Sequence, residues 1–242
     1  MTFLNKTLVL LMVICLQLMV MGKAHAADKT IGIIVFDGVL TSDITAPIEV
    51  FGAATEASWF SNYNVITINV SDKPHIKTHE GLTMLVDKRL SDLPKVDVLL
   101  VPSAYDMSPL LSNQQLIRYV QQTAKTAQWM ASNCSGAHVL AEAGLLNGKR
   151  ATTWAGGEAE LKKNYPNVDV QFDTNFVMDG NVLTSNGGLV SYEAALALLS
   201  NLASPSKANE IREALQMPRL QRKSQKEHLK ENVKENLVQR TR

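Results

Sequence analysis

The chain has 242 residues, of which 45% are hydrophobic and 19% charged, enough apolar material for a packed core. That balance excludes a disordered or collagen-like polymer. The formal net charge of +1 conceals an asymmetry: Arg219 to Arg242 holds eight Lys or Arg against three Glu, so the body before it is mildly acidic.

In chain order, residues 1–26 have the layout of a secretory signal peptide. Lys6 gives a positive start, Leu8 to Met21 is almost unbroken apolar sequence, and Ala24-His25-Ala26 offers small residues for cleavage. The apolar run, about 14 residues, falls short of the roughly 20 needed to span a bilayer. Cleavage after Ala26, a periplasmic or secreted location and no stable membrane span afterwards are expected. Cys15 lacks the small residues of a lipoprotein cleavage site and leaves with the leader. Cys134 is then the only cysteine, so no disulfide forms within the mature chain. A lone thiol in an oxidising compartment is either buried and inert or present because it is used.

Ile31 to Phe36 reads as a buried strand ending in a turn at Asp37-Gly38. Ile44 to Ala57 has helical spacing, with Pro47 expected in the first turn. Val65 to Val70 alternates as a strand, and Val96 to Val101, stopped by Pro102, reads as a central parallel strand. Ser112 and Gln115 form a capping box for a helix carrying Leu116, Ile117, Val120 and Ala124. Trp129 to Ser132 is a short strand, and a helix from Ser135 to Ala143 follows almost at once. Val168 to Phe172, Phe176 to Met178 and Val182 to Thr184 are short strands, and Val190 to Leu202 is an apolar helix after Gly187-Gly188. Strands alternating with helices predict an α/β fold: an open, mostly parallel sheet with helices on both faces. The division is a leader at 1–26, one domain at 27–217, and a basic, partly helical tail at 218–242. With Lys and Glu alternating in the tail, and export expected, no nucleic-acid partner is expected.

The strongest local signal is the strand, sharp turn and helix around Asn133-Cys134-Ser135-Gly136-Ala137. Such an elbow lifts a thiol to the carboxyl edge of the sheet, where open α/β folds hold ligands. A helix N-terminus favours thiolate, so a lowered thiol pKa is expected. Asp43, following the first strand, should reach the same edge, either as a proton carrier or as a helix cap. Glu49, a turn or more into the helix, and His138, one turn beyond the cysteine, read as structural. The five histidines are scattered, so no metal site is expected, and no phosphate loop or dinucleotide fingerprint appears.

Beyond the elbow, Leu140-Ala-Glu-Ala-Gly-Leu-Leu146 and Ala151-Thr-Thr153 follow; before it stands Asp43-Ile-Thr-Ala-Pro47-Ile-Glu49-Val-Phe51. With Asn181 to Ser185 and the glycines after it, these segments resemble the ThiJ/PfpI superfamily from about Thr30 to Leu202. The resemblance is strongest to its isonitrile-hydratase-like branch, shared with the ligand-sensing halves of some AraC-type regulators. It implies a flavodoxin-like, class I glutamine-amidotransferase-like sandwich, no cofactor and a homodimer. It also implies Cys134 as nucleophile, Asp43 as the carboxylate that moves its proton, and Ser135 as the assisting neighbour. Ser103, Ala104, Gly136 and Trp154 would contact a small-molecule substrate. Three departures disfavour a protease or amidase. Ser135 replaces the His found after the cysteine in peptidase-like members. Trp154 follows Thr153 without the usual intervening His. Pro102-Ser103-Ala104 replaces a Pro-Gly-Gly that helps form an oxyanion site. Two readings follow: an exported hydratase or lyase acting on an isonitrile or reactive carbonyl, or a non-catalytic ligand-binding or cysteine redox-sensing protein.

Overall fold

A computed structural model of the chain describes residues 28–57 and 62–219. The expected leader and nearly all of the basic tail lie outside them. The chain enters through β1 (Lys29–Val35) and α1 (Thr41–Glu56), then β2 (Tyr63–Asn69) and the hairpin β3 (His75–Lys77) and β4 (Thr83–Leu85). β5 (Lys88–Arg89), β6 (Val98–Val101), α2 (Ser108–Leu111) and α3 (Gln114–Thr123) lead to β7 (Trp129–Asn133). A 3-10 turn at Cys134–Gly136 opens α4 (Ala137–Glu142), followed by β8 (Arg150–Ala151), α5 (Glu158–Asn164) and β9 (Asp169–Val170). The chain continues through β10 (Phe176–Asp179), β11 (Val182–Ser185), α6 (Val190–Leu202) and α7 (Pro205–Ala214).

Seven strands form one sheet in the order β10-β11-β7-β6-β1-β2-β5, parallel except for β10, which runs antiparallel to β11. The apolar runs take the middle places because both their faces are covered: Val98 to Val101 are all buried in β6, as are Ile31 to Val35 in β1. Each such side chain contributes about 1.5–3 kcal/mol relative to exposure. The chain leaves β1 toward β2 on one side and β6 toward β7 on the other, so right-handed crossovers put α1 and α3 on opposite faces. α6 and α7 pack on α1, and α4 packs on α3, β6 and β7. Reversal of strand order at β1 and β6 opens a crevice at their carboxyl ends.

Three expectations change. Asn113, not Ser112, caps α3, its side chain accepting from the amides of Gln115 and Leu116; Ser112 closes α2 instead. α1 begins at Thr41, three residues early, because Glu80 from the β3–β4 loop accepts the otherwise orphaned Thr41 N–H at 3.0 Å. Pro47 therefore sits inside the helix rather than in its first turn. It cannot donate to the carbonyl four residues back, which belongs to Asp43. Asn133 Nδ2 supplies that bond at 3.0 Å and ties the end of β7 to α1.

Candidate functional site

Four carboxyl ends converge at the crevice: β1 leads to Asp43, β6 to Ser103, β7 to Cys134, and β11 to Gly187, Gly188 and Ser191. Cys134 has φ of +53°, the left-handed region that costs an L-residue about 1–2 kcal/mol. The elbow is over-determined by its surroundings. Gly136 lies so close to β6 that a methyl on it would meet the Val101 carbonyl oxygen at 2.1 Å. Thr153 Oγ1 donates to the Cys134 carbonyl at 3.0 Å, and Ser135 Oγ donates to the Ala104 carbonyl at 3.1 Å.

Asp43 is wholly buried. Its Oδ2 accepts from Ser103 Oγ at 2.5 Å and from the Ser103 amide at 3.2 Å. Its Oδ1 accepts from the Gly188 amide at 2.9 Å and from Ser191 Oγ at 3.1 Å. Burial pushes the carboxyl above its ordinary pKa, and these four bonds oppose the push without reversing it. A carboxylate made harder to ionise is a better proton acceptor once it is ionised. Gly187 stands against both members of the pair: a methyl there would come 2.5 Å from Cys134 Cβ and 2.9 Å from Asp43 Oδ1. With φ at +77°, this position also favours glycine for its backbone.

The thiol runs opposite to expectation. Burial pushes the Cys134 thiol up and the Asp43 charge adds to this, against hydroxyl and amide contacts from Ser103 and Ser135. Ser103 has one hydroxyl proton and gives it to Asp43, so little of it is left for sulfur. The helix beyond the elbow is short, a 3-10 turn and six α-helical residues, and its dipole does not overcome desolvation and a carboxylate at close range. The shift favours thiol over thiolate.

In front of Cys134 lies a cleft of about 540 Å³. Cys134, Ser135, Ala104 and Trp154 line it, so four of the expected contact and reacting groups share one space. Asp43, Ser103 and Gly136 do not line it. Ser103 is fully buried and serves Asp43, while Gly136 packs on the β6 backbone. Neither amide after Pro102 is open to an oxyanion, since Ser103 N–H goes to Asp43 and Ala104 N–H to the Met107 sulfur at 3.3 Å. Glu49 accepts from Tyr192 Oη at 2.6 Å between α1 and α6, outside the cleft, and pushes that phenol up to about 12. Among the described residues no group of three His, Cys, Asp or Glu side chains is placed to hold a metal ion, and no helix is long and apolar enough to cross a membrane.

Sequence reasoning missed Asn133, Ser185 and Ser191 as parts of the site. Ser185 Oγ donates to Asn133 Oδ1 at 2.6 Å, which aims the Asn133 amide at the Asp43 carbonyl. Asn133 stands in the elbow motif and Ser185 in the Asn181–Ser185 segment, but nothing local tied either to Asp43; Ser191 had only its position at the start of α6.

Comparison with known proteins agrees with the fold. Residues 29–201 match the sequence profile of the DJ-1/PfpI family. Over 173 residues the chain is 30% identical to isonitrile hydratase from Pseudomonas putida, a match covering 71% of each protein. It is 29% identical over 152 residues to the HTH-type transcriptional regulator CdhR of Pseudomonas aeruginosa, spanning 62% of this chain but only 44% of the regulator. The crystal structure of a ThiJ/PfpI family protein from Pseudomonas syringae superposes with a TM-score of 0.70 at 21% identity, covering 81% of this chain and 78% of that one.

Proposed function

Because the chain belongs to the DJ-1/PfpI family, we propose that it is an exported enzyme of the hydratase or lyase type that uses Cys134 on a small electrophile, an isonitrile or a reactive carbonyl. One observation carries this reading: Cys134 is strained into the elbow on the wall of a cleft, with Asp43 buried beside it. The similarity to isonitrile hydratase supports the substrate class, and the apolar leader supports export.

For an isonitrile, the thiol proton passes to the ionised Asp43 carboxylate as sulfur bonds to the terminal carbon. Asp43 returns that proton to the same carbon, leaving a thioimidate with a carbon–nitrogen double bond. Water then adds to the carbon, the carbon–sulfur bond breaks, and nitrogen takes up a proton. The net change is one isonitrile plus one water to one N-substituted formamide, with the thiol restored. Asp43 is suited to both transfers because burial raises its basicity. With both amides after Pro102 already engaged, hydrolysis through a tetrahedral oxyanion has less support.

The test is hydration of cyclohexyl isonitrile by the mature protein, followed as formamide release. Turnover lost in Cys134→Ser is the expected result. A folded native protein that turns over neither isonitriles nor small reactive carbonyls would overturn the enzyme reading. It would favour a ligand-binding or redox-sensing protein; the similarity to part of CdhR supports the ligand-binding form, whereas the raised thiol pKa, which disfavours the thiolate that oxidation needs, does not support redox sensing.

A further inference from the structure

The cleft carries two carboxylates and nothing to balance them. Asp106, just before α2, and Glu160, on α5, both line it and are both exposed. Among the described residues neither is paired with a Lys or Arg. Asp106 Oδ1 accepts the Ser108 amide at 2.9 Å, which holds that carboxyl below its ordinary pKa and keeps it charged. No Lys or Arg lines the space, and Lys162 and Lys163, which follow Glu160 on α5, are exposed and off its wall. His138 is the one basic side chain on the lining. Burial holds its imidazole below the ordinary pKa, against the Glu160 charge, so it is neutral near neutral pH.

Exposed carboxylates alone are screened by water and salt and do not make a site. Aromatic rings stand on the same wall. Tyr105, next to Asp106, is 80% exposed, and its ring lies 4.5 Å, centroid to centroid, from His79 of the β3–β4 loop. The Trp154 indole is seated on Gly157: a methyl there would come 2.1, 2.3 and 2.6 Å from Cε2, Nε1 and Cδ2 of the ring, so any larger residue would displace it. Half-buried in this way, the indole has its remaining surface on the cleft wall. Tyr165 adds a third ring, its hydroxyl tied to Glu142 at 3.0 Å. The face of an aromatic ring is electron-rich and attracts a cation while excluding water, which the exposed carboxylates by themselves cannot do. An anion would instead meet repulsion from both carboxylates of the wall.

We infer that the ligand of this cleft is a cation: a small electrophile bearing an alkylammonium group, which the rings of Tyr105 and Trp154 and the carboxylates of Asp106 and Glu160 hold while its reactive carbon meets Cys134. The inference rests on the cysteine-nucleophile reading above and narrows its substrate class. Among isonitriles and reactive carbonyls the cleft selects those carrying a positively charged nitrogen, and it disfavours keto acids and other anions.

Two thiol reagents of the same shape test this: 2-(trimethylammonio)ethyl methanethiosulfonate and 3,3-dimethylbutyl methanethiosulfonate, which differ by a charged nitrogen in place of a carbon. With either, the Cys134 sulfur bonds to the sulfenyl sulfur, the bond to the sulfonyl group breaks, and methanesulfinate leaves with the electron pair while the thiol proton is released. Modification of Cys134 in the mature protein is followed by mass spectrometry at mildly alkaline pH. Rates are divided by those with a small free thiol, which removes intrinsic reactivity and the attraction of the thiolate itself. The native protein is expected to favour the cationic reagent by about tenfold, the size of one or two cation–aromatic contacts. The Asp43 charge also contributes to that ratio, and variants of the wall separate its share. Trp154→Leu and Glu160→Gln are each expected to lower the ratio about threefold. Trp154→Phe, which keeps a ring, is expected to restore most of the first loss, and a side chain that only fills space would not behave so. A native ratio near one, or a raised ratio that neither Trp154→Leu nor Glu160→Gln lowers, overturns the inference and leaves the nucleophile reading intact. Failure of both reagents to modify native Cys134, when the unfolded protein reacts, removes both.

Discussion

Behind Cys134, Asp43 is wholly buried and each carboxylate oxygen accepts two hydrogen bonds, drawn from the segment after β6, the start of α6 and the turn before it. In front of it, the cleft wall is half open: Tyr105 is 80% exposed and Trp154 is partly buried. The rear wall is closed and satisfied, as proton transfer requires of groups held in fixed geometry. The front wall is the part a ligand can reach, which is where selectivity among ligands is set.

If that division holds, changes behind the sulfur alter rate and stability, and changes in front alter affinity. The largest effect is expected for Asp43→Asn, which removes the proton carrier and should lower kcat about 10²–10⁴-fold in the isonitrile assay. Next is Gly187→Ala, whose methyl would strike Cys134 Cβ at 2.5 Å from a left-handed backbone. A loss of about 2–4 kcal/mol in denaturant unfolding is expected, combining overpacking with backbone strain. Ser191→Ala removes one of the four bonds to Asp43 and should cost about 1.5–3 kcal/mol where that carboxyl is ionised. Because the lost bond opposed the push of burial, the Asp43 pKa should rise further, moving the acid limb of the kcat profile to higher pH. Trp154→Ala is the smallest change: KM should rise about tenfold with kcat nearly constant, the signature of uniform binding lost from the cleft wall. A fall in kcat alone for Trp154→Ala would erase the contrast between the two walls.

Much of the fold was legible because its determinants are local. The apolar runs at Ile31 and Val96 became the central strands, and the Val190–Leu202 helix appears with the expected bounds. The elbow was legible for the same reason, since strand, turn and helix adjoin in sequence. What was not legible depends on distant partners. The β3–β4 hairpin has three-residue strands whose alternation is too brief to register, yet Glu80 in its loop sets where α1 begins. The role of Pro47 was hidden because Asn133, which compensates the Asp43 carbonyl, is 90 residues away from Asp43. The thiol pKa was misjudged for a similar reason: the helix dipole is visible in local sequence, whereas burial and the charge of Asp43 arrive only on folding.

The most direct test of the Cys134–Asp43 pair is the pH dependence of iodoacetamide alkylation at Cys134, in the native protein and in Asp43→Asn. The native thiol should alkylate slowly near neutral pH and accelerate only above the ordinary thiol range, because burial and the Asp43 charge both raise its pKa. Asp43→Asn removes that charge, so its profile should move to lower pH even as turnover is lost. A native thiolate already formed below about pH 7, or a profile that Asp43→Asn leaves in place, would contradict the pairing.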